Sequence, residues 1–277
     1  MKARIMGFIG GIHHGSTRAL KEASIDKADF VYRLLTNRMD LPPYTLRQFV
    51  GGSKGYREVG PWFVGEFGRL DLLKPGMRIL DIGCGCGRLA SAFARDAKVR
   101  EMAINYTGMD VDQKSIDWCQ KNITPRNPRF SFYQVDMRSR TYNPHGKEEA
   151  HRYRFPHPDG SFDLFILTSV FTHLVEADAT QFMRELARMA APGATIYASF
   201  FVYKTEAEAV QGVPRRANKF PGYDGDVAVA DREVPENAIA FREDYLIGLL
   251  NKNGLYLKSD IIYGLQDVFL LTNRKPA

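Results

Sequence analysis

Cysteine, long apolar runs and a strong excess of one charge are all lacking in this chain of 277 residues, and each lack removes a class of protein. Only three cysteines occur, Cys84, Cys86 and Cys119, and the first two lie inside a glycine-rich run. An odd count so placed excludes a secreted disulfide scaffold and makes a reducing, cytoplasmic setting the expectation. Cys84-x-Cys86 also lacks the spacing and the distant partner pair of a zinc site, so no metal site is expected. No apolar stretch reaches the ~18–20 residues that span a bilayer, and no membrane partner is expected. Gly7, Gly10, Gly11, His13 and His14 break the short apolar patch after Lys2 and Arg4, which argues against a signal peptide. Lys plus Arg is 38 against 32 Asp plus Glu, a net +6 that is compatible with nucleic acid but does not demand it. Residues 1–60 hold ten Lys/Arg and five Asp/Glu, so +5 of that charge sits in the first segment.

What is present is an ordinary globular composition, 44% hydrophobic and 12% aromatic, without repeats or low-complexity tracts. Residues 15–37 carry Phe30, Val31, Leu34 and Leu35 at helical spacing. Leu41-Pro42-Pro43-Tyr44 then breaks the helix, Gly51-Gly52-Ser53-Lys54-Gly55 reads as a flexible loop, and a second helix is expected to begin at Pro61. From Pro75 onward, strands alternate with helices. Strands are expected over residues 77–82, 103–110, 130–135, 162–167 and 195–202, and helices over 88–97, 113–122, 179–190 and 243–251. Two further strands, 256–263 and 268–273, suit a closing hairpin at the edge of a parallel sheet. Residues 138–160 and 203–240 have no strong period and read as long functional or disordered insertions.

The most informative string is Arg78-Ile79-Leu80-Asp81-Ile82-Gly83-Cys84-Gly85-Cys86-Gly87-Arg88, an apolar strand holding an acid, then alternate glycines, then a helix. Such glycines let the backbone turn sharply beside a ligand at a strand's carboxyl end. Gly85-x-Gly87-x-x-Ala90 formally satisfies the dinucleotide fingerprint. A carboxylate at the strand end, however, suits a cationic amine better than a pyrophosphate. The full pattern Asp81-x-Gly83-x-Gly85-x-Gly87 resembles the first motif of class I S-adenosylmethionine-dependent methyltransferases of the bacterial small-molecule type. Tyr106-Thr107-Gly108-Met109-Asp110, Tyr133-Gln134-Val135-Asp136-Met137, the run from Phe162 to His173-Leu174, and Ala191-Pro192-Gly193 resemble the later motifs in order, with Ala194 where the family has Gly.

That resemblance implies a Rossmann-like, doubly wound, mostly parallel α/β sheet of seven strands with an antiparallel last strand. A helical cap over residues 1–60 would precede a methyltransferase domain over 61–277. It implies S-adenosyl-L-methionine as cofactor, held by Asp81, Gly83, Cys84, Gly85, Gly87, Asp110, Val111, Asp136, Met137 and Thr168. Asp110 would take the ribose hydroxyls, Asp136 the adenine amino group, and Met137 the ring. His173 is the first candidate for a general base; the alternative is that it shapes its own turn by bonding the backbone. His145, His151 and His157, six residues apart, read as a solvated loop. Tyr56, beside the glycine loop, could close over the cofactor, whereas the aromatic segment around it could equally be core packing. Leu41-Pro42-Pro43-Tyr44 looks like the amine-holding motif of amino-methyltransferases but has Leu where that motif has an acceptor, so a rigid turn is expected.

The expected acceptor is a small molecule, with methyl transfer to a hydroxyl of a sugar-like or secondary metabolite. An RNA- or protein-modifying enzyme and a non-catalytic cofactor-binding regulator are the alternatives. No appended binding domain or aromatic-interleaved basic face speaks for nucleic acid. A homo-oligomer is compatible with the sequence.

Overall fold

Strand β4 (Phe162–Leu167) shows how the sheet is built. Leu164 and Ile166 enter one buried cluster with Phe67 and Phe93, while Phe165 and Leu167 enter another with Phe182 and Leu186. A strand with both faces in core belongs to a parallel sheet covered by helices on both sides. The computed structural model describes residues 15–140 and 142–275. His13, His14 and the rest of the start lie outside these.

The remaining strands are β1 (Arg78–Ile82), β2 (Asn105–Asp110), β3 (Phe130–Gln134), β5 (Ala190–Phe200), β6 (Val202–Tyr203) and β7 (Gly222–Asp224). They are followed by β8 (Val227–Val229), β9 (Ile239–Arg242), β10 (Tyr256–Leu257) and β11 (Asp267–Thr272). The main sheet has seven strands in the order β10-β11-β5-β4-β1-β2-β3. Strands β1 to β5 pair in parallel, and β11 runs antiparallel to both of its neighbours. The expected Rossmann-like architecture is therefore present. The chain order reverses between β1 and β4, where open α/β sheets bind ligands.

The helices are α1 (Gly15–Leu35), α2 (Tyr44–Arg47), α3 (Gly52–Arg69), α4 (Arg88–Arg95) and α5 (Ala97–Glu101). After them come α6 (Gln113–Asn122), α7 (Glu176–Met189), α8 (Glu206–Gln211) and α9 (Glu243–Lys252). Helices α3 to α6 cover one face of the sheet, α7 and α9 the other.

Two expectations are corrected. Pro61 does not start a helix but sits inside α3, and Gly52 to Gly55 are helical rather than a loop. The break is made by Gly51 and Gly52, at φ +85° and +66°. One helix thus runs straight across position 60. Residues 203–240 are not structureless either: β6, β9, β8 and β7 form a second, four-stranded sheet with α8 beside it. Its strands are two to four residues long, too short to show a period. Leu41-Pro42-Pro43-Tyr44 is a rigid turn, as expected, with Leu41 fully buried and Pro43 at φ −50° leading into α2.

Candidate functional site

The glycine loop after β1 is held by β2: Gly83 N–H and Cys84 N–H both donate to the Met109 carbonyl, at 2.8 and 3.0 Å. Gly83, Gly85 and Gly87 all have φ between +52° and +76°, the left-handed region where a Cβ is penalised. Packing adds a second reason. A Cβ on Gly83 would come 2.7 Å from Val170 Cγ2, and one on Gly87 2.8 Å from Cys119 Sγ. A Cβ on Gly85 would meet nothing within 4 Å, because that residue borders open space. Cys84, Cys86 and Cys119 are buried free thiols packed around the loop.

Two carboxylates flank this loop. Asp110, at the end of β2, accepts from Gly85 N–H at 2.7 Å and from Asp112 N–H at 2.9 Å, one bond to each oxygen. Each oxygen retains a lone pair for a further donor. Burial is the main influence on its pKa and pushes it up. Asp81, on β1, is 3% exposed. Burial pushes its pKa up to about 7, against the pull of the Tyr106 hydroxyl, which donates to it. An acid so placed is half protonated near neutrality and gains from a cationic partner.

These groups open into a cavity of about 1650 Å³. Asp81, Gly83, Cys84, Gly85, Asp110, Val111, Met137, Thr168 and His173 all line it. Three of the expected site residues do not. Gly87 lies behind the loop, where it caps α4 and packs on Cys119 and Ile123. Asp136 turns toward the following loop, with Asn143 Nδ2 at 3.3 Å and Lys147 Nζ at 3.8 Å. Tyr56 is not a lid. It is 2% exposed, its hydroxyl is 2.6 Å from Ser91 Oγ, and it packs with Leu41 and Cys86 behind the loop. An amphipathic ring on the inner stripe of α3 buries itself in this way, whereas the outer stripe supplies the cavity.

The residues that rim the cavity are ones the sequence reading passed over. Phe49, Trp62, Tyr142, Tyr263 and Leu265 are each 44–63% exposed, and all line it. They come from four separate segments. Phe49 and Tyr142 meet edge to face at 6.1 Å, and Tyr142 meets His173 in the same way at 6.4 Å. The only signal for Phe49 and Trp62 was membership of the aromatic segment before β1. Nothing marked Tyr142 within its polar surroundings.

On the far wall, Ser169 adopts φ +62°, a strained value for a residue with a side chain. Its N–H donates to Ser199 Oγ at 2.8 Å, and that hydroxyl donates to Gln266 Oε1 at 2.6 Å. His173 ends a short 3-10 turn after β4 and is half-buried. Its Nδ1 is 2.8 Å from the Glu236 carbonyl of the distant insertion. A carbonyl only accepts, so Nδ1 carries the proton and Nε2 is left as an acceptor. Burial holds the imidazole pKa below its ordinary value, which keeps the ring neutral.

Comparison with known proteins agrees with this geometry. Residues 79–193 match a family model described as "Methyltransferase domain". The chain is 27% identical over 128 residues to 2-methyl-6-phytyl-1,4-hydroquinone methyltransferase of Synechocystis sp., covering 46% of this chain and 33% of that protein. It is 32% identical over 122 residues to the ubiquinone biosynthesis O-methyltransferase of Rhizobium johnstonii, covering 44% and 40%. The matched regions thus span well under half of these relatives. The crystal structure of the PH0226 protein from Pyrococcus horikoshii superposes with a TM-score of 0.51 at 16% identity, over 80% of this chain and 92% of that one, a likeness of fold.

Proposed function

We propose that the protein moves a methyl group from S-adenosylmethionine to a hydroxyl of a small molecule held in the same cavity, a reading supported by the match of residues 79–193 to a methyltransferase domain. The observation that carries this reading is the cavity's size, about 1650 Å³. A site for one ligand is roughly 300–1,000 Å³, so this one can hold cofactor and acceptor together. The cofactor supplies an activated methyl and its own leaving group.

The chain's own residues then have to bind, align and deprotonate. Asp81 offers a carboxylate to the amine of the methionine moiety. Asp110 offers both oxygens to the ribose diol, already oriented by Gly85 and Asp112. Val111 and Met137 bracket the adenine with apolar side chains. Asp136 belongs to the same set only if its side chain leaves Asn143 and turns inward. Thr168, Ser169 and Gln266 border the acceptor. His173 Nε2 would take the proton of the acceptor hydroxyl; the neutral ring and the bond from Nδ1–H to the Glu236 carbonyl suit it to that task.

The test joins transfer to mutation. Incubation with methyl-labelled cofactor and separate fractions of metabolites, RNA and protein should label the metabolite fraction. Label in RNA or protein would replace the acceptor class, and label in none would point to a binding protein without turnover. His173→Ala should lower kcat by on the order of 10²-fold or more, with the cofactor Kd from calorimetry within about twofold of wild type. An unchanged kcat removes His173 from the chemistry.

A further inference from the structure

Helix α1 is inside out. Between Lys21 and Leu35 its positions that are not exposed are Glu22, Asp26, Asp29 and Arg33, spaced as one helical stripe and all charged. That stripe faces the arm. Asp26 accepts from Thr45 N–H and Oγ1–H at 3.0 and 2.6 Å, and Asp29 is shared by Arg33, at 2.8 Å, and Arg47. The remaining circumference is mostly apolar and exposed: Phe30 is 46% exposed, Val31 53%, Leu34 58% and Leu35 81%. A surface helix ordinarily buries its apolar side and shows its charges. One that shows its apolar side over several turns has an interaction surface there.

The charges that remain on the outward side identify the occupant. All acids of this stretch lie on the inward stripe, and the exposed charges are Lys21 and Lys27. A second copy would bring to this face only the same two cations, with no outward acid of the stretch to pair with them. An apolar surface bearing only cations is instead complementary to an anionic surface with an apolar interior. We propose that α1 docks the protein on anionic phospholipid bilayers, lying in the interface with Phe30, Val31, Leu34 and Leu35 in the acyl boundary and Lys21 and Lys27 at the headgroups. Lying on a bilayer needs no spanning helix, and among the described residues no helix is long and apolar enough to cross one. Helix α2, bonded to α1 through Asp26 and Thr45, leads directly to Phe49 at the cavity rim, so docking would bring that rim to the lipid surface.

The experiment is flotation of the full chain with vesicles of phosphatidylcholine alone and of phosphatidylcholine with phosphatidylglycerol at about 7:3. The protein should float with the anionic vesicles only, and less so as salt rises. Lys21→Glu with Lys27→Glu should lower the partition coefficient on the order of 30-fold. Leu34→Ser with Leu35→Ser should lower it at least about tenfold, with the melting temperature unchanged because both side chains are exposed. Should the serine variant fail to fold, the lysine variant and the salt series on wild type decide. Failure to float, or flotation indifferent to salt and to the lysines, overturns the proposal. A wild-type dimer that the serine pair turns into a monomer would assign the face to a second copy instead. None of these readouts involves methyl transfer, so they stand or fall apart from the catalytic reading.

Discussion

Asp81 is the side chain on which pH acts most directly. Its folded pKa of about 7 lies above the ordinary carboxylate value of 3.8. Between those values the folded protein holds a proton that the unfolded chain has released, so stability falls as pH rises from about 4 to 7 and is level above. The effect is at most about 4 kcal/mol. Binding runs the other way. A cationic ligand favours the ionised acid, so the cofactor Kd should tighten by up to about tenfold between about pH 6 and 8. Calorimetry across that range checks it, and a flat Kd would remove Asp81 from the amine site. The residues that carry this argument were readable as residues: an acid and three glycines at fixed spacing. The pKa was not, because it depends on the burial of Asp81 and on Tyr106 reaching it from the neighbouring strand.

At the scale of elements, α3 and α4 cross where Gly60 lies against α4's first turn. A Cβ there would come 2.8 Å from the Arg88 carbonyl oxygen and 3.0 Å from Ala92 Cβ. Gly60→Ala should therefore force the helices apart and cost about 1–3 kcal/mol, a fall in Tm of roughly 3–10 °C in thermal unfolding. An unchanged Tm would mean that the crossing relaxes freely. The same glycines explain why the start of α3 was misread. In sequence, Gly51 to Gly55 look like flexibility; in the fold, a Cβ on Gly55 would strike the Val50 carbonyl oxygen, so glycine there permits close approach. Apart from the two-residue edge strand β10, the strands of the main sheet were legible because each carries five or more residues and, taken together, most of these are buried, whereas the strands of the small sheet are too short to declare themselves.

Across the whole molecule, the two sheets are joined at Asp267, the first residue of β11. This fully buried carboxylate takes Arg216 Nη1 at 2.6 Å and Arg215 Nε at 2.9 Å, while Arg215 and Arg216 also donate to the carbonyl of Val202, the first residue of β6. Asp267→Ala would leave the buried Arg216 charge without its partner and should cost about 3–5 kcal/mol, read as a lower Tm by calorimetry. A Tm within error of wild type would show that the pair does not bind the sheets together. By itself, the sequence determined the parallel sheet, the glycine loop and the carboxylates at the ends of β1 and β2, since each follows from local period and motif spacing. Only the tertiary structure decided that Tyr56 turns away from the cavity while Phe49, Trp62 and Tyr142 rim it. It alone decided that His173 is held by a carbonyl 63 residues away, and that α1 points its apolar side outward. Those outcomes depend on which surfaces meet, and residues far apart in the chain meet only when the whole fold closes.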